Sequence, residues 1–558
     1  MAIQTTKMSN VRYKFSGGWQ GRTASTNKDQ RFINVFPEKV DDSRTLLVKR
    51  PGLDTYLETD AGEGRGIFHY NNYIWSVIGN KLYRNNTYTG TTLGTSTGVV
   101  GFTECTEEGL PRLFLCDGTD GYIINTSSVI TKIPTTYTAW AATTTYSLGT
   151  KRRPTVANTI YYEVTTAGTS NGTEPTWPTT LGTTVTDGTV VWTARGYYGG
   201  FPSPHTPTPV YLDGYVCLAH ADSADIYNCD LENPYGWSAS NYITSELFPD
   251  EVVALARQNN LVVAFGQTGT EFFYDNGANQ PTGTPLAKYT SAFLQMGSCA
   301  PYAVGQNERY CFYISQSQSG GRAAWMLDGV QPTKISDEAI GRALDAEGDA
   351  IINTTGYLLR LVGHFFWVIC LTERTLVFDI EEKVWHEWSS TSVVNFTQSQ
   401  INGSVINTLS INGSASGNTL YNTTAWVWRF ASDIGNGDVY FLHESSGDIA
   451  KSNYLSYKDA GQLIRCEIQT PIIDFGSYKR KFIHRLSIVS DLATNYIFVR
   501  WSDDDYRTWS NSKALDMNSR PVLHRLGATR RRAFNIYYTD DYPLRIEALD
   551  IIVEEGET

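Results

Sequence analysis

A chain of 558 residues is several times the size of a common domain, so a single core is expected only if the fold is modular or repeated. Charged residues are only 18%, and 34 Tyr, 23 Phe and 14 Trp stand against 5 Met. This is a composition for pleated, half-buried sheet surfaces, and it argues for an all-β protein. The net charge of −12 argues against gripping nucleic acid by phosphate neutralisation, although an acidic wall can serve as a conduit that does not hold DNA.

Met1 to Lys7 has no apolar core, so no signal peptide is expected, and no run of about eighteen apolar residues calls for a membrane anchor. Residues 1–60 are rich in polar residues and poor in strand patterns, and are expected to run as an extended N-terminal arm.

From residue 61 a unit recurs in which an aromatic or β-branched strand meets a polar turn and then a second strand. Seven segments carry it, beginning at Tyr73, Arg112, Tyr215, Leu261, Tyr310, Phe365 and Val439. The spacing is that of four-stranded propeller blades, about 35 to 50 residues each. One small twisted sheet cannot bury both its faces, whereas a ring of them can, and it exposes only short edges. The expectation is a β-propeller-like core of seven blades over 61–136 and 197–460, with a pair of β-sandwiches as the competing architecture.

Residues 137–196 interrupt the pattern with a Thr- and Gly-rich stretch containing Trp177 and Trp192. It reads as a small inserted β-module placed where an exposed loop tip tolerates insertion. Its tryptophans are candidate glycan or fibre contacts, or else the module's own core. Asp337 to Leu344 is the best helix candidate. Residues 461–558 read as a separate C-terminal β region.

The eight cysteines contain no Cys-x-x-Cys pair, and most sit in apolar runs, as expected of reduced, buried residues folded in a reducing cytoplasm. His386-Glu387 and His443-Glu444 lack the second histidine of a zinc-protease helix, and neither a Gly-x-Ser-x-Gly elbow nor a phosphate loop occurs. No metal, no cofactor and no catalysis are expected.

Two C-terminal features stand out. Ser502, Asp504, Thr508 and Trp509 resemble the Asp box of sialidase-like propellers, with Tyr506 where Gly is usual. That motif is a structural turn in which the carboxylate accepts backbone N–H groups. A sialidase-like hydrolase would also need an arginine cluster and a Tyr nucleophile with its Glu partner, which the sequence does not assign. Arg525, Arg530, Arg531 and Arg532 form a basic cluster in an acidic chain, read as an interface for a neighbouring subunit.

The order of segments resembles the phage stabilisation, or tail-hub, family of short-tailed (podovirus) double-stranded DNA bacteriophages. The resemblance rests on Phe32-Ile33-Asn34-Val35-Phe36-Pro37 with Lys49-Arg50-Pro51-Gly52-Leu53, and on Gly66 to Tyr70 through Gly79 to Arg84. It also rests on Val263 to Gly266 with Thr270 to Phe273 and Met296 to Ala300, and on the run from Trp501 to Ile546. It implies a virion structural protein made in the host bacterial cytoplasm, forming a six-fold ring below the portal–adaptor complex. Such a ring extends the DNA channel, retains the packaged genome, passes DNA without sequence-specific binding, and docks a tail needle or nozzle and tail fibres or spikes. The alternative is a carbohydrate- or receptor-binding tail fibre protein with the insert as sugar site.

Overall fold

The computed structural model describes residues 8–15, 30–41, 44–277, 284–317, 321–395, 399–401, 404–406, 414–416 and 419–556. Strands dominate, and the one α-helix among these residues is Glu338–Ala346. Asp337 caps it by accepting the Ala339 and Ile340 N–H groups, both at 2.9 Å. The chain divides into two compact units, residues 63–321 with 325–334, and residues 1–62 with 322–324 and 335–558. These units cut across the segments expected from sequence, because the last two blade patterns fall with the C-terminal region.

The first unit contains five four-stranded antiparallel meanders. Their first strands are Gly64–Tyr70, Gly101–Glu107, Val210–Leu212, Val252–Gln258 and Gly305–Gln306. Within each, the register runs strand to strand through short turns, as in Ile78↔Lys81 and Gln258↔Leu261. Apolar side chains from neighbouring sheets interlock. Ala254, Val263, Phe265 and Phe272 of one meander meet Cys311, Tyr313 and Leu327 of the next. The all-β, β-propeller expectation follows from this arrangement: each sheet buries the face that its neighbour offers.

The inserted module leaves the first unit between the second and third meanders. It is a four-stranded sheet ordered Lys151–Arg152, Ile160–Thr166, Val190–Tyr197, Thr184–Asp187, with a two-stranded ribbon of Thr145–Tyr146 and Gly168–Thr169. It has its own core around Trp140, Tyr162, Val164 and Trp192.

The second unit carries two more meanders. One is Thr355–Leu361, His364–Cys370, Thr375–Asp379 and Val384–Trp388. The other combines Trp428–Asp433, Val439–His443 and Ile449–Asn453 with Gly52–Leu57 from the N-terminal residues. With the five of the first unit, the described residues hold a four-stranded meander at each of the seven segments read from sequence. The C-terminal region is a sandwich. Lys481–Ser490 and Arg545–Glu555 lie in one sheet, Tyr496–Ser502 and Ala533–Thr539 in another, and Leu486, Ile551, Val499 and Ile536 share the core between them.

The N-terminal residues, expected as an extended arm, are strands that complete these sheets. Arg31–Ile33 lies between Val384–Trp388 and Arg465–Gln469, and Met8–Lys14 pairs with Arg545–Glu555. Such strands add to edges already formed, so they do not need a strong alternating pattern of their own. Arg50 secures this connection. It is buried, donates to Asn34 Oδ1 at 2.8 Å and to both Asp459 carboxylate oxygens, and lies 4.7 Å from the Trp426 ring centroid. Gly52 passes so close to the Lys458 carbonyl that an added Cβ would sit 2.2 Å from its oxygen. The Arg-Pro-Gly sequence is thus explained by packing.

Candidate functional site

Three places merit weighing as sites: the Asp-box-like turn with its arginines, the insert tryptophans, and a cavity in the first unit.

At the turn, Ser502 Oγ donates to Asp504 Oδ1 at 2.8 Å and accepts from the Tyr506 N–H at 3.0 Å. Asp504 also accepts from the Thr508 hydroxyl and, at 2.9 Å, from the Thr508 N–H. These bonds, the Thr508 hydroxyl first, pull its pKa down to about 2. Asp505 and Tyr506 have φ of +61° and +67°, so Tyr506 adopts the left-handed backbone for which the usual motif employs glycine. The Tyr506 ring turns toward Trp509, with centroids 5.9 Å apart.

The turn and the arginine cluster are one structure, a link the sequence did not show. Arg532, 2% exposed, forms a bidentate pair with Asp503 at 2.7 and 2.7 Å. It also donates to the Leu526 carbonyl at 2.8 Å and lies 5.1 Å from the Trp501 ring centroid. Arg531 pairs with Asp505 at 2.6 Å. Only Arg525 and Arg530 are exposed. Of the four arginines expected at an interface, Arg531 and Arg532 are thus paired with the chain's own acidic turn, and Arg525 and Arg530 are exposed.

Of the two readings of the insert tryptophans, the structure agrees with packing in the module's core. Trp192 is fully buried, and its Nε1 donates to Asp187 Oδ2, which also accepts Trp140 Nε1 at 2.7 Å. Trp177 is partly buried, packs on Tyr162 at 4.4 Å and donates to Glu174 at 2.8 Å. Trp192 is part of the module's core and Trp177 packs against it. The cysteines match the expectation of burial, all but Cys299 being buried. Burial pushes Cys217 and Cys311 up to about 12, so they are poor nucleophiles.

The cavity was not foreseen. It measures about 780 Å³ and draws lining from the first strand of every meander in the first unit: Phe68 and Tyr70, then Phe102 and Glu104, then Tyr211, Arg257 and Gln306. Phe102, Glu104 and Thr106 alternate along one strand and so share a face. Hydrogen bonds tie the first strands to one another around it. Thr106 Oγ1 meets Tyr211 Oη at 2.6 Å, Arg257 Nη1 donates to the Tyr211 carbonyl at 3.1 Å, and Gln306 Oε1 accepts the Arg257 N–H. No local motif marks such a site, because its residues lie one to a few at a time on strands spread over more than 200 positions of sequence.

Among known protein families, the model described as Bacteriophage P22 Gp10, beta-propeller, matches residues 204–402. No curated protein matches the chain. Among solved structures, the N-terminal domain of Nup159 aligns over 77% of this chain and 99% of its own at 10% identity, with a TM-score of 0.33. A catalytically inactive virginiamycin B lyase from Staphylococcus aureus aligns over 73% and 98% at 9% identity, with a TM-score of 0.26. At these scores neither alignment bears on function. The matched span covers the third to fifth meanders of the first unit and the Thr355–Trp388 meander of the second. Residues 204–402 are thus similar to a bacteriophage structural family of β-propeller type, in agreement with the meanders that this span forms.

Proposed function

We propose that this protein is a tail-hub subunit of a short-tailed phage, forming a six-fold ring below the portal and adaptor. In that position it extends the DNA channel, retains the packaged genome, and docks a tail needle or nozzle and fibres or spikes. The family match over residues 204–402 carries this reading. Two features agree with it. The net charge of −12 suits a wall that DNA slides past rather than binds. Arg525 and Arg530 stand exposed and are available to acidic residues of a neighbouring subunit. A cyclic ring places a different face of each subunit against its neighbour, so one basic patch has one acidic counterpart. The role is mechanical and requires neither catalysis nor a cofactor.

Electron microscopy of the purified chain, alone and mixed with portal–adaptor rings, tests the proposal. Six-fold rings docked coaxially on the portal are the expected result. Monomers or trimers that ignore the portal overturn it.

A further inference from the structure

We propose that the cavity of the first unit binds a neutral oligosaccharide, with the sugar against Phe68 and Phe102 and its hydroxyls bonded to Glu104, Arg112 and Arg257. Three observations carry this.

The first is shape. About 780 Å³ lies within the roughly 300–1,000 Å³ of small-molecule sites and exceeds the needs of a single sugar ring. It is walled mainly by strands on several sheets, with only Asn71 and Thr126 of its lining in turns, so the fold fixes most of its shape.

The second is the kind of surface. Phe68 and Phe102 lie nearly parallel, with centroids 5.9 Å apart and planes at 14°, and both are partly exposed. Beside this apolar wall stand planar or forked hydrogen-bonding groups. Arg112 donates Nε to Glu107 at 2.7 Å and Nη1 to the Pro111 carbonyl at 2.8 Å, which fixes its fork. Arg257 is held by the Asn259 and Tyr211 carbonyls, both at 3.1 Å. Tyr70 lines the same cavity, and its hydroxyl is buried without a hydrogen-bond partner, a costly arrangement unless something else makes use of the region. An apolar face next to oriented donors and acceptors is the complement of a sugar, which has C–H bonds on its ring faces and hydroxyls at its rim.

The third is charge. Glu104, Arg112 and Arg257 line the wall, and Arg112 is already paired with Glu107 at 2.7 Å, so the lining carries little net charge. A phosphate would meet the Glu104 carboxylate beside the guanidiniums, whereas a neutral polyol can use both kinds of group as partners.

The experiment is isothermal titration calorimetry on the full chain with maltotriose, cellotriose and chitotriose, each with ligand-observed saturation-transfer NMR. At least one is expected to bind, roughly tenfold more weakly to Phe102→Ala and to Glu104→Gln. Glu104 is exposed, so Glu104→Gln reads the site without endangering the fold. Near-ultraviolet circular dichroism checks the folding of Phe102→Ala. Trp177→Ala, in the insert core, is expected to leave binding unchanged. The inference is overturned if none of the three sugars binds, if binding survives both cavity variants, or if it is lost only in Trp177→Ala. Docking of Glu104→Gln on portal–adaptor rings is read separately, so failure of the sugar site and failure of the hub reading remain distinguishable.

Discussion

Removing the carboxylate from Arg532 tests whether the C-terminal arginines are scaffold or interface. Asp503→Asn keeps the size of the side chain but leaves a guanidinium that is 2% exposed without its counter-charge. Breaking a fully buried pair costs about 3–5 kcal/mol. Asp503 is 41% exposed, and Arg532 retains the Leu526 carbonyl and the Trp501 ring, so a cost of about 2–3 kcal/mol is expected here. Arg525→Ala, at an exposed position, should cost within about 0.5 kcal/mol. Urea unfolding followed by tryptophan fluorescence measures both, since Trp501 and Trp509 flank the turn. A cost below about 0.5 kcal/mol for Asp503→Asn would refute the reading of this pair as scaffold. In a ring-assembly assay the order should reverse, with Arg525→Ala and Arg530→Ala impairing association while leaving the monomer folded.

His386 is fully buried, neither ring nitrogen has a partner, and burial pushes its pKa down to about 3. The unfolded chain therefore takes up a proton that the folded chain refuses. Stability contributed by the neutral ring is present above the unfolded value of 6.5 and is lost as pH falls below it, by about 2 kcal/mol at pH 5. His386→Phe should flatten that slope in denaturant melts at pH 7 and pH 5, and an unchanged slope would count against it. Asp230 slopes the other way. Burial raises it to about 7, so the folded state holds a proton that the unfolded state has released, and stability falls as pH rises from about 4 to 7. Asp230→Asn, which can still accept the Tyr197 N–H, should remove this loss and raise the melting temperature at pH 8 relative to the parent. In the insert, Trp192→Ala should cost about 3–5 kcal/mol and Trp177→Ala markedly less, read by limited proteolysis within residues 137–196.

Much of the architecture was legible because strand patterns are local. Segments such as Tyr73–Ile78, Leu261–Gly266 and His364–Cys370 are aromatic or β-branched runs bounded by turns, and each is a buried strand of a meander. The helix start at Asp337 was equally local, since a capping carboxylate acts within three residues. Arg31–Ile33 and Gly52–Leu57 were not legible as strands, because their partners lie more than 300 residues away and supply the order they need. The arginine cluster misled for a related reason. A run of positive charge is visible in one dimension, but the acidic turn that neutralises Arg531 and Arg532 becomes their neighbour only when Tyr496–Ser502 pairs with Ala533–Thr539.

The insert shows the same limit in reverse. Its tryptophans were visible as residues, while their burial was decided by how Ile160–Thr166 and Val190–Tyr197 stack their aromatic faces inward. The strand content, the seven meander segments, the family likeness and the burial of most cysteines could all be read from the chain alone, because each depends on residues close together in it. Which arginines face solvent, which tryptophans are core, and that residues of five first strands meet around one cavity were decided by the tertiary structure alone, since those outcomes depend on pairings between distant strands.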